Sequence, residues 1–165
     1  MIFISGMTLV DKNDNIYFPI EFEGDVVFRY PKSEYFVKNI DLKEKKVFKD
    51  KAYSSRLTKY SWGVTDTSYF RSENETVYYY DVKSNTESVQ MPKDIKIGVS
   101  WTSTDSAWNY EITNIQAKLK TPVKKYKDLL EIKATQLKNR DKKKLPEYLI
   151  YYMKNVGKVA SVTKE

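Results

Sequence analysis

The stretch SYFRSENETVYYYDVKSNTESV, Ser68 to Val89, decides the fold class. Its aromatic and β-branched residues come in short runs separated by Ser, Asn, Glu and Lys. Such runs suit a pleated, half-buried surface, and polar clusters of that length suit tight reversals. Tyr69 and Phe70 end one arm of a hairpin, Ser72 to Glu75 form its turn, and Val77 to Val82 form the return arm. A second turn at Lys83 to Thr86 leads onward. The unit reads as an antiparallel meander.

The same pattern recurs on both sides. EYFVKNIDL (34–42) alternates with period two around a slip in its middle. NYEITNIQAKLK (109–120) puts Tyr110 and Ile112 on one face, then Ile115, Ala117 and Leu119 on a face shifted by one, as a β-bulge would. DLLEIKATQL (128–137) fits a strand or a short helix, and its alternation favours strand. EYLIYYM (147–153) is aromatic on both faces, which predicts a central strand, and NVGKVASV closes the chain as a strand from about Gly157. MIFISGMTLV reads as a first strand or the remnant of a leader. DLKEKKVFKDKAYSSRL (41–57) is the one segment with enough charge pairing to allow a short helix. The expectation is a single domain over 1–165, all-β to α+β, with about ten strands in one curved antiparallel sheet or half-barrel and at most one short helix.

Two segments share a design. YFPIEFEGDVVFRY (17–30) carries Pro19, Gly24 and Phe28, and MPKDIKIGVSWTST (91–104) carries Pro92, Gly98 and Trp101. In each, the proline and glycine predict a bend that sets down a strand with an inward aromatic.

Composition narrows the chemistry. The 165 residues include no Cys and no His. That excludes thiol nucleophiles, disulfides, thiolate zinc sites and imidazole bases. Glu21 with Glu23, and Glu73 with Glu75, are same-strand or same-turn neighbours, unlike carboxylates facing each other across a cleft. DKNDN (11–15) starts like a calcium loop, but Ile16 stands where the sixth-position Gly belongs and Phe22 where the twelfth-position Glu belongs. Neither a G-x-S-x-G nor a phosphate-binding glycine loop occurs. No catalytic residue, metal site or cofactor is assigned.

Charge is uneven. Residues 1–115 hold 15 Lys/Arg against 17 Asp/Glu, and residues 116–165 hold 14 against 5. The basic end favours an anionic partner. Its densest part is LKNRDKKKLPE (137–147), read as an exposed hairpin loop in which Lys138, Arg140, Lys142, Lys143 and Lys144 would make that contact. The aromatics are also in surplus, with 14 Tyr, 7 Phe and 3 Trp. On a curved sheet, Trp62, Tyr78, Tyr80, Trp101, Trp108, Tyr148 and Tyr152 could line an amphipathic groove for a lipid, glycan or peptide. Burial in a two-faced core is the alternative.

Four segments together resemble one family, the uncharacterised secreted or lipid-anchored β-rich proteins widespread in Gram-positive bacteria. YFPIEFEGDVVFRY resembles that family's Phe-Pro-Leu, Gly, Trp/Tyr opening, and IKIGVSWTSTDSAWNYEIT its glycine–tryptophan motif. TPVKKYKDLLEIK is similar to its Thr-Pro-Ala-Gly segment, with Val123, Lys124 and Lys125 in place of small residues. YYMKNVGKVASV is similar to its closing motif, with Asn155 in place of a glycine. The resemblance spans about residues 17 to 162 and implies an antiparallel β fold and an extracytoplasmic setting; it implies no activity. The functional expectation is a non-catalytic binding domain for a hydrophobic or anionic ligand at a membrane or cell-wall surface. The alternative is a small cytoplasmic or mobile-element protein that binds nucleic acid or another protein. Interleaved Lys and aromatic residues in KTPVKKYKDLL and RDKKKLPEYLIYY favour the alternative, and the scarcity of Arg as a base reader opposes it.

Overall fold

The computed structural model describes residues 2–4, 15–22, 24–138 and 146–164. They form twelve strands: β1 (Ile2–Ile4), β2 (Asp25–Arg29), β3 (Phe36–Phe48), β4 (Lys51–Tyr60), β5 (Thr65–Glu73), β6 (Thr76–Asp81), β7 (Thr86–Met91), β8 (Ser100–Thr102), β9 (Trp108–Lys120), β10 (Lys125–Gln136), β11 (Glu147–Met153) and β12 (Gly157–Lys164). Among the described residues there is no helix. All twelve strands join one antiparallel sheet in the order β7-β6-β5-β4-β3-β2-β1-β12-β11-β10-β9-β8.

This order forces the sheet to curl. The two edge strands, β7 and β8, follow one another in the chain and are joined by residues 92–99. Laid flat, twelve strands would hold their edges roughly 50 Å apart, whereas a connection of that length reaches at most about 30 Å. The sheet therefore closes most of the way into a half-barrel. Part of the connection pairs with β9 as well, through Gly98 N–H to the Ile112 carbonyl (2.9 Å) and Ile112 N–H to the Val99 carbonyl (2.9 Å).

Register shifts supply the bending. The slip expected in the middle of 34–42 is absent, since Phe36 to Leu42 pair without a shift; the irregularity in β3 lies further on, between Leu42 and Lys45. The phase change in β9 is a run of bulges against β10, where Glu131 opposes Asn114 while Ile132 opposes Ile112. Ile112 consequently belongs to one buried cluster and Ala117 to another. β11 pairs with β10 on one side and β12 on the other, as a central strand.

The segment 41–57, allowed a helix on charge pairing, is instead the β3–β4 hairpin. Its turn residues Lys49 and Asp50 both have positive φ (47° and 61°). So do Asn74 and Glu75 (50° and 63°) in the β5–β6 turn. Two left-handed residues in a two-residue turn match the right-handed twist of the strands they join. Adjacent Val47 and Phe48, poor for an amphipathic helix, suit the end of a strand.

The paired proline–glycine segments both set down strands. Gly24 (φ +80°) precedes β2, whose Phe28 is buried, and Gly98 (φ +89°) precedes β8, which carries Trp101. The residues ahead of Gly24 do more than bend. Asn15 to Phe22 cross one end of the half-barrel and plug it. Tyr17, Phe18 and Ile20 pack with Phe70, Val77, Met91, Ile112, Leu130, Ile132 and Tyr152 in the main core. The buried Asn15 side chain donates to the Glu75 and Pro92 carbonyls (2.9 Å each) and accepts the Tyr17 N–H (3.0 Å). Asn155 N–H donates to the Ile16 carbonyl at 2.6 Å. Gly157 allows the plug its close approach: a Cβ there would lie 3.3 Å from Pro19 Cδ, and its φ is +90°. Residues 11–14 of the calcium-like segment and residues 139–145 of the basic loop lie outside the described residues.

Candidate binding cavity

The concave face is built by strand alternation. Arg56 of β4 pairs in register with Asp41 of β3 on one side and Ser68 of β5 on the other, so all three face inward. Arg56 is a strut under the plug. Its Nε and Nη2 donate to the Asp41 carboxylate (2.6 and 3.2 Å), and Nη2 also donates to the Ile20 (2.9 Å) and Pro19 (3.2 Å) carbonyls. Its guanidinium lies 4.1 Å from the Phe22 ring centre. Asp41 in turn accepts the Phe22 N–H at 2.6 Å. Both partners are nearly fully buried, and every charge in the pair is compensated.

Beyond the plug lies an internal cavity of about 230 Å³, walled by Phe28, Phe70, Trp101, Ile132 and Ile150. Polar groups from Asn39, Thr58, Gln90 and Lys158 also reach it. It shares Tyr110, Ile150 and Lys158 with a wider, more open space of about 530 Å³ bounded by Tyr60, Trp108, Tyr148 and Ser161. The two spaces adjoin along this shared wall as one passage, and the plug residues Phe18, Pro19 and Phe22 border its inner part. Among the described residues, no carboxylate lines either part.

Two donors line this passage without a matching partner, one of them buried and one half-buried. The indole N–H of Trp101 is buried with no hydrogen-bond acceptor, while its ring stacks on Tyr110 with centres 5.6 Å apart. Lys158 is turned inward opposite Tyr152 by a register shift at Tyr151/Tyr152. Its ammonium lies 5.6 Å from the Phe28 ring centre and, among the described residues, has no carboxylate within salt-bridge reach. Burial pushes the Lys158 pKa below the usual lysine value. Burial likewise pushes the phenols of Tyr110 and Tyr152 up, so both remain protonated hydrogen-bond donors. The wall is thus apolar and aromatic, with donors and cations but no acidic group.

The seven aromatic candidates do not meet in one place. Trp101 and Tyr152 line the inner cavity, and Trp108 and Tyr148 line its outer part with ring centres 5.7 Å apart. Trp62 is 49% exposed on the β4–β5 turn, against the rings of Tyr30, Tyr35 and Tyr60. Tyr78 and Tyr80 sit on the opposite, convex face and take no part in the cavity. Tyr80 stacks on Phe48 at 4.4 Å, and Tyr78 lies under the Arg71 guanidinium at 4.4 Å. They share a face as the alternation requires; the inward residues of that strand include Val77 in the main core and Tyr79, packed on Phe70. Of the basic candidates, Lys138 donates to the Asp105 carbonyl and so ties β10 to the β8–β9 turn. Arg140, Lys142, Lys143 and Lys144 fall outside the described residues.

Arg56, Gln90 and Lys158 carry no mark of the cavity in the sequence, and Tyr110 is marked there only as sharing a face with Ile112. A single Lys in GKVASV and a single Arg in YSSRLTK look like ordinary solvent-side positions. Only the register with distant strands turns them inward.

The convex cluster is a complete polar network. Arg71 grips the Glu87 carboxylate with two contacts (2.9 and 2.5 Å), Tyr53 donates to it at 2.5 Å, and Lys51 does so at 3.1 Å. The Arg71 bonds hold the Glu87 pKa down at about 2, while burial and Glu87 push the Tyr53 phenol up to about 12.

Set against family models, curated proteins and solved structures, the chain matches none. The geometry alone carries the functional reading.

Proposed function

We propose that the curled sheet is a container that binds a small amphipathic ligand of the lipid class in its interior, without chemistry on that ligand. The observation that carries this reading is the passage itself: aromatic and aliphatic walls, a few polar groups, and the plug residues along its inner part. Small-molecule sites have this character, mostly apolar with a small number of placed polar groups. A glycan would ask for a more open, hydrogen-bond-rich surface. An extracytoplasmic setting belongs to the same proposal and rests on the motif resemblance. Native mass spectrometry of the purified chain, before and after incubation with a lipid extract, tests it. A captured lipid mass is the expected result, and an unliganded chain in both spectra removes the container.

A second contact has its own support. Lys118, Lys120, Lys124, Lys125 and Lys127 are all exposed on the β9–β10 hairpin, which suits an anionic surface or polymer. Binding to anionic vesicles that fades as salt rises is the expected outcome; equal binding to neutral vesicles removes the electrostatic reading.

A further inference from the structure

The polar groups of the passage distinguish one class of amphipath from the rest. Of the two interior cations, Arg56 is already neutralised by Asp41 and occupied by the plug carbonyls. Lys158 is not: the groups around its ammonium are the Phe28 ring, the Tyr152 side chain across the β11–β12 pair, and the shared wall of Tyr110 and Ile150. None of these carries a negative charge. The buried Trp101 N–H borders the same inner cavity and also lacks an acceptor. A buried donor left unpaired is costly, and a half-buried cation against an apolar wall, with no carboxylate in reach among the described residues, gains from any group that supplies the missing charge. What would satisfy both is a single group with negative charge and two acceptor oxygens, attached to a hydrocarbon that fits between Phe28, Ile132 and Ile150.

We propose that the ligand is an amphipath with a carboxylate head, a free alkyl-chain acid, seated with its carboxylate at Lys158 and the Trp101 indole N–H and its chain along the aromatic and aliphatic walls. This rests on the container reading and deepens it. The absence of any lining carboxylate among the described residues makes the passage selective by charge: an acid gains a charge-assisted bond, a neutral chain gains only burial, and a cationic chain meets Lys158 directly. Charge-assisted hydrogen bonds are about twice as strong as neutral ones.

The test is isothermal titration of the delipidated full chain with dodecanoate, 1-dodecanol and dodecylamine, at equal chain length. Dodecanoate should bind at least about tenfold more tightly than the alcohol, and the amine weakest of all. Lys158→Met should reduce dodecanoate affinity roughly tenfold or more and leave dodecanol affinity unchanged. Trp101→Phe should lower dodecanoate affinity by a smaller factor. Equal affinity of wild-type protein for acid and alcohol overturns the carboxylate assignment while leaving the container intact. Binding of none of the three overturns both. The wild-type comparison needs no variant, so it decides the matter even if Lys158→Met folds poorly; Lys158→Gln then provides the charge test at closer shape.

Discussion

The two faces of the sheet bury polar groups on opposite terms. On the convex face, around Phe48, Tyr53, Tyr69 and Tyr80, each buried polar atom has found a partner. Tyr53, Arg71 and Lys51 converge on Glu87, and Tyr80 donates to Asn85. On the concave face, beyond the plug, the buried Trp101 N–H is left without an acceptor, and the half-buried Lys158 ammonium faces the Phe28 ring with no carboxylate in reach among the described residues. A satisfied network fixes a structure, because loss of any member strands the others. Unmatched donors facing a cavity cost stability rather than add to it, and under the proposed function a ligand offsets that cost. The contrast separates aromatics that build the fold from those that can hold a guest.

The largest effect should come from Arg56, which lies on the concave side but belongs with the satisfied groups. Arg56→Met strands the Asp41 carboxylate in the interior and releases the plug carbonyls, and breaking a buried ion pair in this way costs about 3–5 kcal/mol. Urea unfolding measures it. A loss below about 1 kcal/mol would mean that the plug is held by its rings alone, which the Phe18–Phe70 contact at 5.1 Å would then have to explain.

Next comes the convex network, which is sensitive to acid. Glu87 has a folded pKa of about 2 against an ordinary 4.5. Its contribution is therefore fully present above the ordinary value and is lost as pH falls through the window from about 4.5 to about 2. Glu87→Gln should lower stability at neutral pH by about 2–3 kcal/mol and flatten that part of the stability–pH curve. An unchanged acid limb in the variant would transfer the acid sensitivity to other carboxylates and weaken the contrast between the faces.

The sequence displays the sheet far better than the cavity. Period-two alternation in 34–42, the turn chemistry of 72–75 and the phase change in 109–120 are local, and strand, turn and bulge form there; the slip expected within 34–42 lies beyond it, where β3 meets the far half of β4. The β3–β4 hairpin was obscured because Lys49 and Asp50 are uncommon in a turn that needs two left-handed residues, and because charged KEKK looks helical when its partner strand is unseen. The cavity depends on register between strands far apart in sequence. Tyr79 rather than its neighbours Tyr78 and Tyr80 faces inward because of the pairing with Phe70, and Lys158 faces inward because a bulge at the start of β12 turns it. Three consecutive tyrosines carry no mark of which face is concave. Neither does a lone lysine after a glycine.

Gly157 tests the seal between the faces. Its φ of +90° disfavours any side chain, and a Cβ would press on Pro19. Gly157→Ala should cost about 1–3 kcal/mol in a urea melt. Because Gly157 also borders the inner cavity, displacement of the plug should raise the amide exchange of residues 15–22 above that of β6 and β7. Uniform exchange would show that plug and sheet open as one unit, and the plug would then be core rather than closure.

The smallest stability change should be the one of opposite sign. Lys158 has its folded pKa lowered by burial, so protonation works against the folded state. Without a ligand, its effect is a loss of stability as pH falls from above the ordinary lysine value through the folded one. Lys158→Met removes both the charge and that slope, and should stabilise the unliganded chain at pH 7 by about 1 kcal/mol. No substitution in the convex network should do this, since each of those removes a partner. Urea melts of both proteins at pH 7 and pH 11 separate the possibilities. Stabilisation at pH 7 that vanishes at pH 11 marks Lys158 as a group held at a cost to folding, as a ligand contact is. Destabilisation at both would show that its stem and ammonium are structural, and Lys158 would then move to the same side of the comparison as Arg56 and Arg71.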